Sequence, residues 1–379
     1  MPHRHSFFRQ AALRHLLLCA VSLAAAFGAH ATGSASRSRT NEGQSQADQL
    51  AIKIYDDRMT LAMTEAPQVY LYGYIDADAP ARFSALMKSW KIPTGSDIYL
   101  NSPGGDLKAG LALGRLFRAG SMVTHLGTPT RGPHQSVVNK NAVCIDACAY
   151  AYMGGLYRWA PSGSDHLGIT PQGAEAAHAP SASAEVDAYL KDMGVKPDWL
   201  ASASTPSHDA TAWLDADRML ASGLANNGRL NLFATYKLLS GAPYLELKQT
   251  DRHGDHRITL LCKPDGAQLA AYNTAGSDRA RQIVARGTRS YLEIDRQPVL
   301  VQEQDGATLE DQSVVIRRTY PLAQLQRIAS AQSLGAWVEQ RSSSFRYGFG
   351  FEVTGVRNVL KAFYDNCLLY APSPATQNP

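Results

Sequence analysis

Across residues 51–229 short apolar runs alternate with amphipathic stretches, and each change of period marks an element boundary. Residues 68–75 are β-branched and aromatic and read as a strand. Turn and cap residues follow over 76–80, and Phe83, Leu86, Met87 and Trp90 then fall at helical spacing, predicting a helix over 81–90. Residues 97–100 form a short buried strand that ends at Pro103-Gly104-Gly105. The helix 107–119 comes next, with Leu107, Leu111, Leu113, Leu116 and Phe117 on its core side. Residues 122–126 are a further strand, 127–141 a polar insertion, and 143–155 a strand that turns abruptly into a helix. Residues 156–160 and 166–170 read as a strand pair around the turn 161–164. Beyond Gly173 a Ser/Ala-rich loop leads to helices over 185–193 and 215–224. Strand and helix in this rhythm predict parallel βαβ units.

From residue 230 the pattern changes. Segments 244–248, 257–262, 268–273, 290–294, 299–302 and 313–320 are short, largely alternating and separated by Gly, Asp and Asn turns, which predicts an antiparallel β domain. Residues 346–353 add a strand, and 322–332 and 356–366 add two helices. The expected fold class is therefore α/β, a βαβ domain over 51–229 followed by a β-rich (α+β) domain over 230–370, with 371–379 a disordered tail.

Composition narrows the setting. At 379 residues, 45% hydrophobic and 18% charged, the chain suits about two globular domains of roughly 150 residues each. Residues 1–31 read as a secretory signal: Arg4, Arg9 and Arg14 precede an apolar stretch over 16–28, and Ala29-His30-Ala31 is a small-x-small cleavage site. Leu18 before Cys19 argues against a lipid anchor. Residues 32–50 are Ser, Gly and Gln-rich and read as a flexible linker. Losing the signal's three arginines reduces the formal +4 to +1. The mature chain then gives no electrostatic case for nucleic acid or an anionic membrane as partner. A periplasmic location follows from the signal.

Export implies an oxidising compartment, in which the four mature cysteines would pair. Three pairings are open; the spacing favours Cys144 with Cys148 and Cys262 with Cys367. No histidine stands at ligand spacing beside either pair, so no metal site is expected. No cofactor is expected either.

Asn101-Ser102-Pro103-Gly104-Gly105 before an apolar helix, followed some 40 residues later by a Cys-x-x-x-Cys helix start, a Gly-Gly pair and a Leu-Gly strand, resembles the ClpP/crotonase superfamily. The closer likeness is to exported Clp-protease-like proteins with a signal and a C-terminal β domain, and it runs from about Tyr70 to Asn227. Glycines at a strand end let backbone N–H groups point into a cleft, and the resemblance makes Gly104, Gly105 and Asp106 the candidate oxyanion donors. In that family the second stretch reads Cys-x-Ser-Ala-Cys, with the serine as nucleophile. Here Cys144-Ile145-Asp146-Ala147-Cys148 places Asp146 at that position. The family's base is a histidine ending a Leu/Tyr-Gly-Val-His strand; Leu167-Gly168-Ile169-Thr170 places Thr170 there. His166 lies four residues earlier, about 13 Å along a strand, and does not replace it. The acidic third member corresponds to Asp209 or Thr211.

A carboxylate is a poor nucleophile toward an amide, and a threonine hydroxyl is no base near neutral pH. Asp146 is instead expected to cap the helix starting at Ala147, for roughly 0.5–2 kcal/mol. A crotonase-like acid/base role for Asp146 is the alternative that the superfamily offers. The resemblance thus implies a catalytically inactive peptidase homologue that binds peptide or protein in the former active-site cleft. A hydrolase with a non-standard site and an assembly module acting through the β domain are the other classes. Family members form rings, so a homo-oligomer is a further expectation. Tyr150, Tyr152 and Met153 read as core or groove lining, and His125, His134, His178 and His208 as surface or satisfied residues.

Overall fold

The alternation in the first half of the chain builds one sheet with helices packed against it. The computed structural model describes residues 49–64, 66–129, 141–170, 174–175, 179, 182–196, 198–199, 211–302, 306–340 and 346–370, all within a unit spanning Ser45–Pro379. The expected signal, nearly all of the linker, the tail, His134, His178, His208 and Asp209 lie outside the described residues.

The elements are β1 (Ala51–Tyr55), α1 (Arg58–Thr64), β2 (Gln68–Tyr72), α2 (Ala79–Lys88), β3 (Asp97–Asn101), α3 (Leu107–Ala119), β4 (Val123–Leu126), β5 (Val143–Ile145), α4 (Ala147–Met153), β6 (Tyr157–Arg158), β7 (His166–Ile169), α5 (Ser183–Asp192), β8 (Ala212–Trp213) and α6 (Ala216–Ser222). A five-stranded sheet has the order β1-β2-β3-β4-β6 and a three-stranded one β5-β7-β8. β2, β3, β4 and β6 run parallel, while β1 lies antiparallel to β2. The segments around β6 and β7 do not pair with each other, as local reading suggested. After α4 the chain returns to the main sheet beside β4, and β7 pairs with β5 and β8 instead. Such non-local partners are chosen by the sheet edges on offer and not by the intervening turn.

The second half comprises β9 (Phe233–Leu239), β10 (Ala242–Asp251), β11 (Gly254–Lys263), β12 (Gly266–Thr274), α7 (Ser277–Arg286), β13 (Arg289–Ile294), β14 (Gln297–Gln302), β15 (Thr308–Glu310), β16 (Ser313–Pro321), α8 (Leu325–Ala329), β17 (Ser333–Glu339), β18 (Arg346–Glu352) and α9 (Arg357–Tyr370). Its sheets have the orders β15-β16-β12-β11-β10-β9 and β14-β13-β17-β18, and every pairing is antiparallel. The chain is thus a mixed α/β protein. Its buried apolar side chains fall into two clusters, one drawn from Leu50 to Ala225 and the other from Leu245 to Cys367.

Cys262 and Cys367 are bridged, with Cα atoms 5.6 Å apart and 105 residues between them. Closing a loop of that length stabilises by about 4–5 kcal/mol in the chain-entropy model. Arg252, at the turn between β10 and β11, reaches the first half of the chain. It forks onto both oxygens of buried Asp97 at 3.1 and 3.2 Å, and His125 Nε2 lies 3.0 Å from the same carboxylate. Burial alone would raise the Asp97 carboxyl; the hydrogen bonds and charges of His125 and Arg252 outweigh it and hold the group below its ordinary value. Because β2, β3 and β4 are in register, the rings of Tyr70, Tyr99 and His125 stack at 4.7 Å, and Trp159 continues the row at 5.7 Å. His125 is therefore a satisfied residue.

Candidate functional site

Two strand-to-helix turns meet at one end of β3. Ser102 N–H donates to Val143 O at 2.6 Å and Ile145 N–H to Ser102 O at 3.1 Å, so the residue after β3 pairs alongside β5 in a parallel bridge to Cys144. The Asn101 side chain supports this junction by accepting Val143 N–H at 3.0 Å. In the first turn Gly104 and Gly105 have φ of 117° and 145°. A Cβ at Gly105 would overlap the Ile75 carbonyl oxygen, so only glycine fits this crossing of backbones. Asp106 has extended geometry, φ −66° and ψ 119°, and its carboxylate caps α3 by accepting Ala109 N–H at 2.7 Å.

The second turn centres on Asp146. Its backbone, φ 51° and ψ −113°, is one that a non-glycine residue rarely adopts. The strain sits between the bridged Cys144 and Cys148, whose Cα atoms are 5.1 Å apart. α4, which begins at the next residue, is buried along its whole length. Tyr150, Tyr152 and Met153 are core residues, and burial, followed by the Asp146 charge, pushes the Tyr150 phenol up to about 12. α3 packs closely on α4, since a side chain at Gly110 would strike the Ala147 carbonyl.

Asp146 does not cap α4. The positive φ turns its carboxylate away from the helix N–H groups and toward β7. There Oδ1 accepts the Thr170 N–H at 2.8 Å and Oδ2 accepts the Thr170 hydroxyl, also at 2.8 Å. The capping expectation is thereby corrected. The two residues at the expected nucleophile and base positions are partners of each other, 24 residues apart in sequence.

The first turn lies against this pair, with the ideal Cβ direction of Gly104 pointing 3.6 Å from Asp146 Cβ and 3.9 Å from its Oδ2. Of the three expected backbone donors, Gly104 N–H donates to Ser102 Oγ at 3.2 Å and Asp106 N–H to Ile75 O at 2.8 Å. Gly105 N–H alone has no partner among the described residues. Sequence reasoning missed that Asn101 and Ser102 hold the turn together; the signal was their place directly before Pro103-Gly104-Gly105. His166 lies against Trp213, with centroids 5.2 Å apart and the rings tilted by 47°, and stays outside the pair. Thr211 stands against Gly168, two residues before Thr170. Among the described residues no group of three His, Cys, Asp or Glu side chains could hold a metal ion.

No family model and no curated protein matches the chain. Among solved structures it is similar to a ClpP1 variant from Listeria monocytogenes, at 14% identity over 44% of this chain and 94% of that one, with a TM-score of 0.30. It is also similar to the membrane-bound stomatin-specific protease 1510-N, at 14% identity over 41% and 75% of the two chains and a TM-score of 0.26. A form of that protease in complex with a substrate peptide aligns at 16% identity over 41% and 71%, with a TM-score of 0.27.

Proposed function

We propose that this chain is an exported relative of the ClpP/crotonase superfamily that binds polypeptide in its former active-site cleft without cleaving it. The contact between Asp146 and Thr170 carries the reading. Both side chains at the reacting positions are spent on each other. A carboxylate that accepts two hydrogen bonds is a still weaker nucleophile, and a threonine hydroxyl is too weak a base to take a proton near neutral pH. The negative charge also lies beside the turn where an oxyanion would have to form, and it opposes that charge. Gly105 keeps a backbone donor for a peptide carbonyl. Cleavage after Ala31, a periplasmic location, separate domains over 51–229 and 230–370, and self-association belong to the same proposal. The two bridged cysteine pairs and the two apolar clusters support it.

One observation favours a second reading. The 2.8 Å hydrogen bond from Thr170 Oγ1 to Asp146 Oδ2 relates a hydroxyl to a carboxylate base, with the roles reversed between the two positions. Mixing the mature protein with fluorescent, carboxymethylated casein separates the readings. Saturable binding by anisotropy with no new casein N-termini by mass spectrometry is expected. New termini that disappear in Thr170→Val would establish the hydrolase, and an absence of binding would remove the peptide-binding role.

A further inference from the structure

Three helices point their carbonyl ends at two guanidinium groups. Arg158, 5% exposed, donates from Nε to Leu224 O at 2.6 Å, from Nη1 to the carbonyls of Met153, Gly155 and Met193, and from Nη2 to Gly223 O. Arg118 donates from Nε to Gly154 O and from Nη2 to the carbonyls of Gly155 and Met193. These carbonyls close α4, α5 and α6, whose C-terminal ends carry partial negative charge. Partial charges fix the two cations in place without cancelling them. Among the described residues no carboxylate pairs with either one.

Both arginines line a cleft of about 960 Å³ that also takes in Lys196 and Arg229, against a single acid, Glu352. The cleft continues to Phe233, which is 68% exposed and begins β9. β9 is the last strand of its six-stranded sheet, and no described strand pairs with its outer side. Leu238 and Leu239 along it are 62% and 46% exposed, and Lys237 is its one charged residue. A strand edge with unpaired backbone groups and exposed apolar side chains is a template for another extended chain.

We propose that an extended acidic polypeptide segment adds to β9 as a further strand and seats a carboxylate in the cleft between Arg118, Arg158, Lys196 and Arg229. Charge selects the partner, since four cations face one acid. The surface lies at the C-terminal end of α4, whereas Asp146 stands at its start. It therefore does not depend on the reading of the Asp146 cleft.

Replacing Arg158 would untie three helix ends, so the test uses the exposed pair Lys196→Glu/Arg229→Glu. The probe is a fluorescein-labelled ten-residue peptide of alternating Glu and Val, followed by anisotropy. Saturable binding is expected, weakened about tenfold or more by the double reversal and by N-methylation throughout the peptide. A Lys–Val peptide should not saturate, and Asp146→Ser/Thr170→His should leave the affinity unchanged. The proposal is overturned if the Glu–Val peptide fails to saturate by about 1 mM, far above ordinary peptide affinities. Equal binding of the N-methylated or Lys–Val peptide, or indifference to the charge reversal, overturns it as well. A shift caused by the Asp146/Thr170 substitutions would place the peptide in the other cleft and refute this placement.

Discussion

The turn from β3 into α3 and the turn from β5 into α4 are hydrogen-bonded to each other at Ser102, and each puts an aspartate at the N-cap of its helix. Asp106, with φ −66°, folds back and caps. Asp146, with φ 51°, turns outward and holds Thr170. The same residue type at the same helical position does different work because the backbone aims it differently. In the first turn glycines absorb the unusual φ, leaving the aspartate relaxed. In the second the aspartate itself carries it, at a cost of about 1–3 kcal/mol that the surrounding fold must offset. A strained residue that forgoes its local partner for one on another strand marks the position whose geometry the fold preserves.

Substitutions can break this contrast, beginning where the effect is largest. Asp97 anchors the far end of β3, and Asp97→Ala would leave the Arg252 and His125 side chains without their shared acceptor. A loss of about 3 kcal/mol or more in denaturant unfolding is expected. Acid acts through the same group. Its folded pKa lies below the unfolded value, so its stabilisation is present above roughly pH 4 and is lost as pH falls through the depressed folded value. Acid unfolding of the Asp97→Asn protein should lack that component. Gly105→Ala comes next, because the added methyl meets the Ile75 carbonyl and φ 145° is hostile to alanine. About 3 kcal/mol is expected from chemical denaturation, and a loss under 1 kcal/mol would mean the first turn is not the rigid member of the pair.

Thr170→Val removes the hydroxyl from Asp146 Oδ2 while the backbone bond to Oδ1 remains. It should cost about 2 kcal/mol, as a hydrogen bond to a charged acceptor does. Asp106→Ala loses only a cap and should cost about 1 kcal/mol. The order of these last two sharpens the comparison, since an exposed cap ought to matter less than the cross-strand pair. Thermal or urea unfolding of the two single variants measures it directly.

Much of this frame was legible along the chain. α3 runs over the residues that its apolar spacing predicts, because Asp106 announces its start and five large apolar side chains mark one face. The cysteine pairing followed from spacing. α7 escaped notice because it fully buries only Ala280 and Ile283 and six of its ten residues are charged or polar, so periodicity carried little signal. β9 and β17 were missed for related reasons: β9 is an exposed edge whose short alternation, Ala234 and Tyr236 inward, is framed by apolar Phe233, Leu238 and Leu239, and Gly335 interrupts β17. The partners of β6 and β7 could not be read locally, since register between distant strands leaves no mark in neighbouring residues. The role of Asp146 was misread on the same ground. Its sequence neighbours argue for a cap, and only the approach of β7 brings Thr170 to it.

Fluorophosphonate labelling of the mature protein tests most directly whether the Asp146–Thr170 pair has replaced the chemistry of the site. The unmodified protein should remain unlabelled, and Asp146→Ser/Thr170→His should acquire label at residue 146. Labelling of the unmodified protein at any serine or threonine, abolished by changing that residue, would contradict the account.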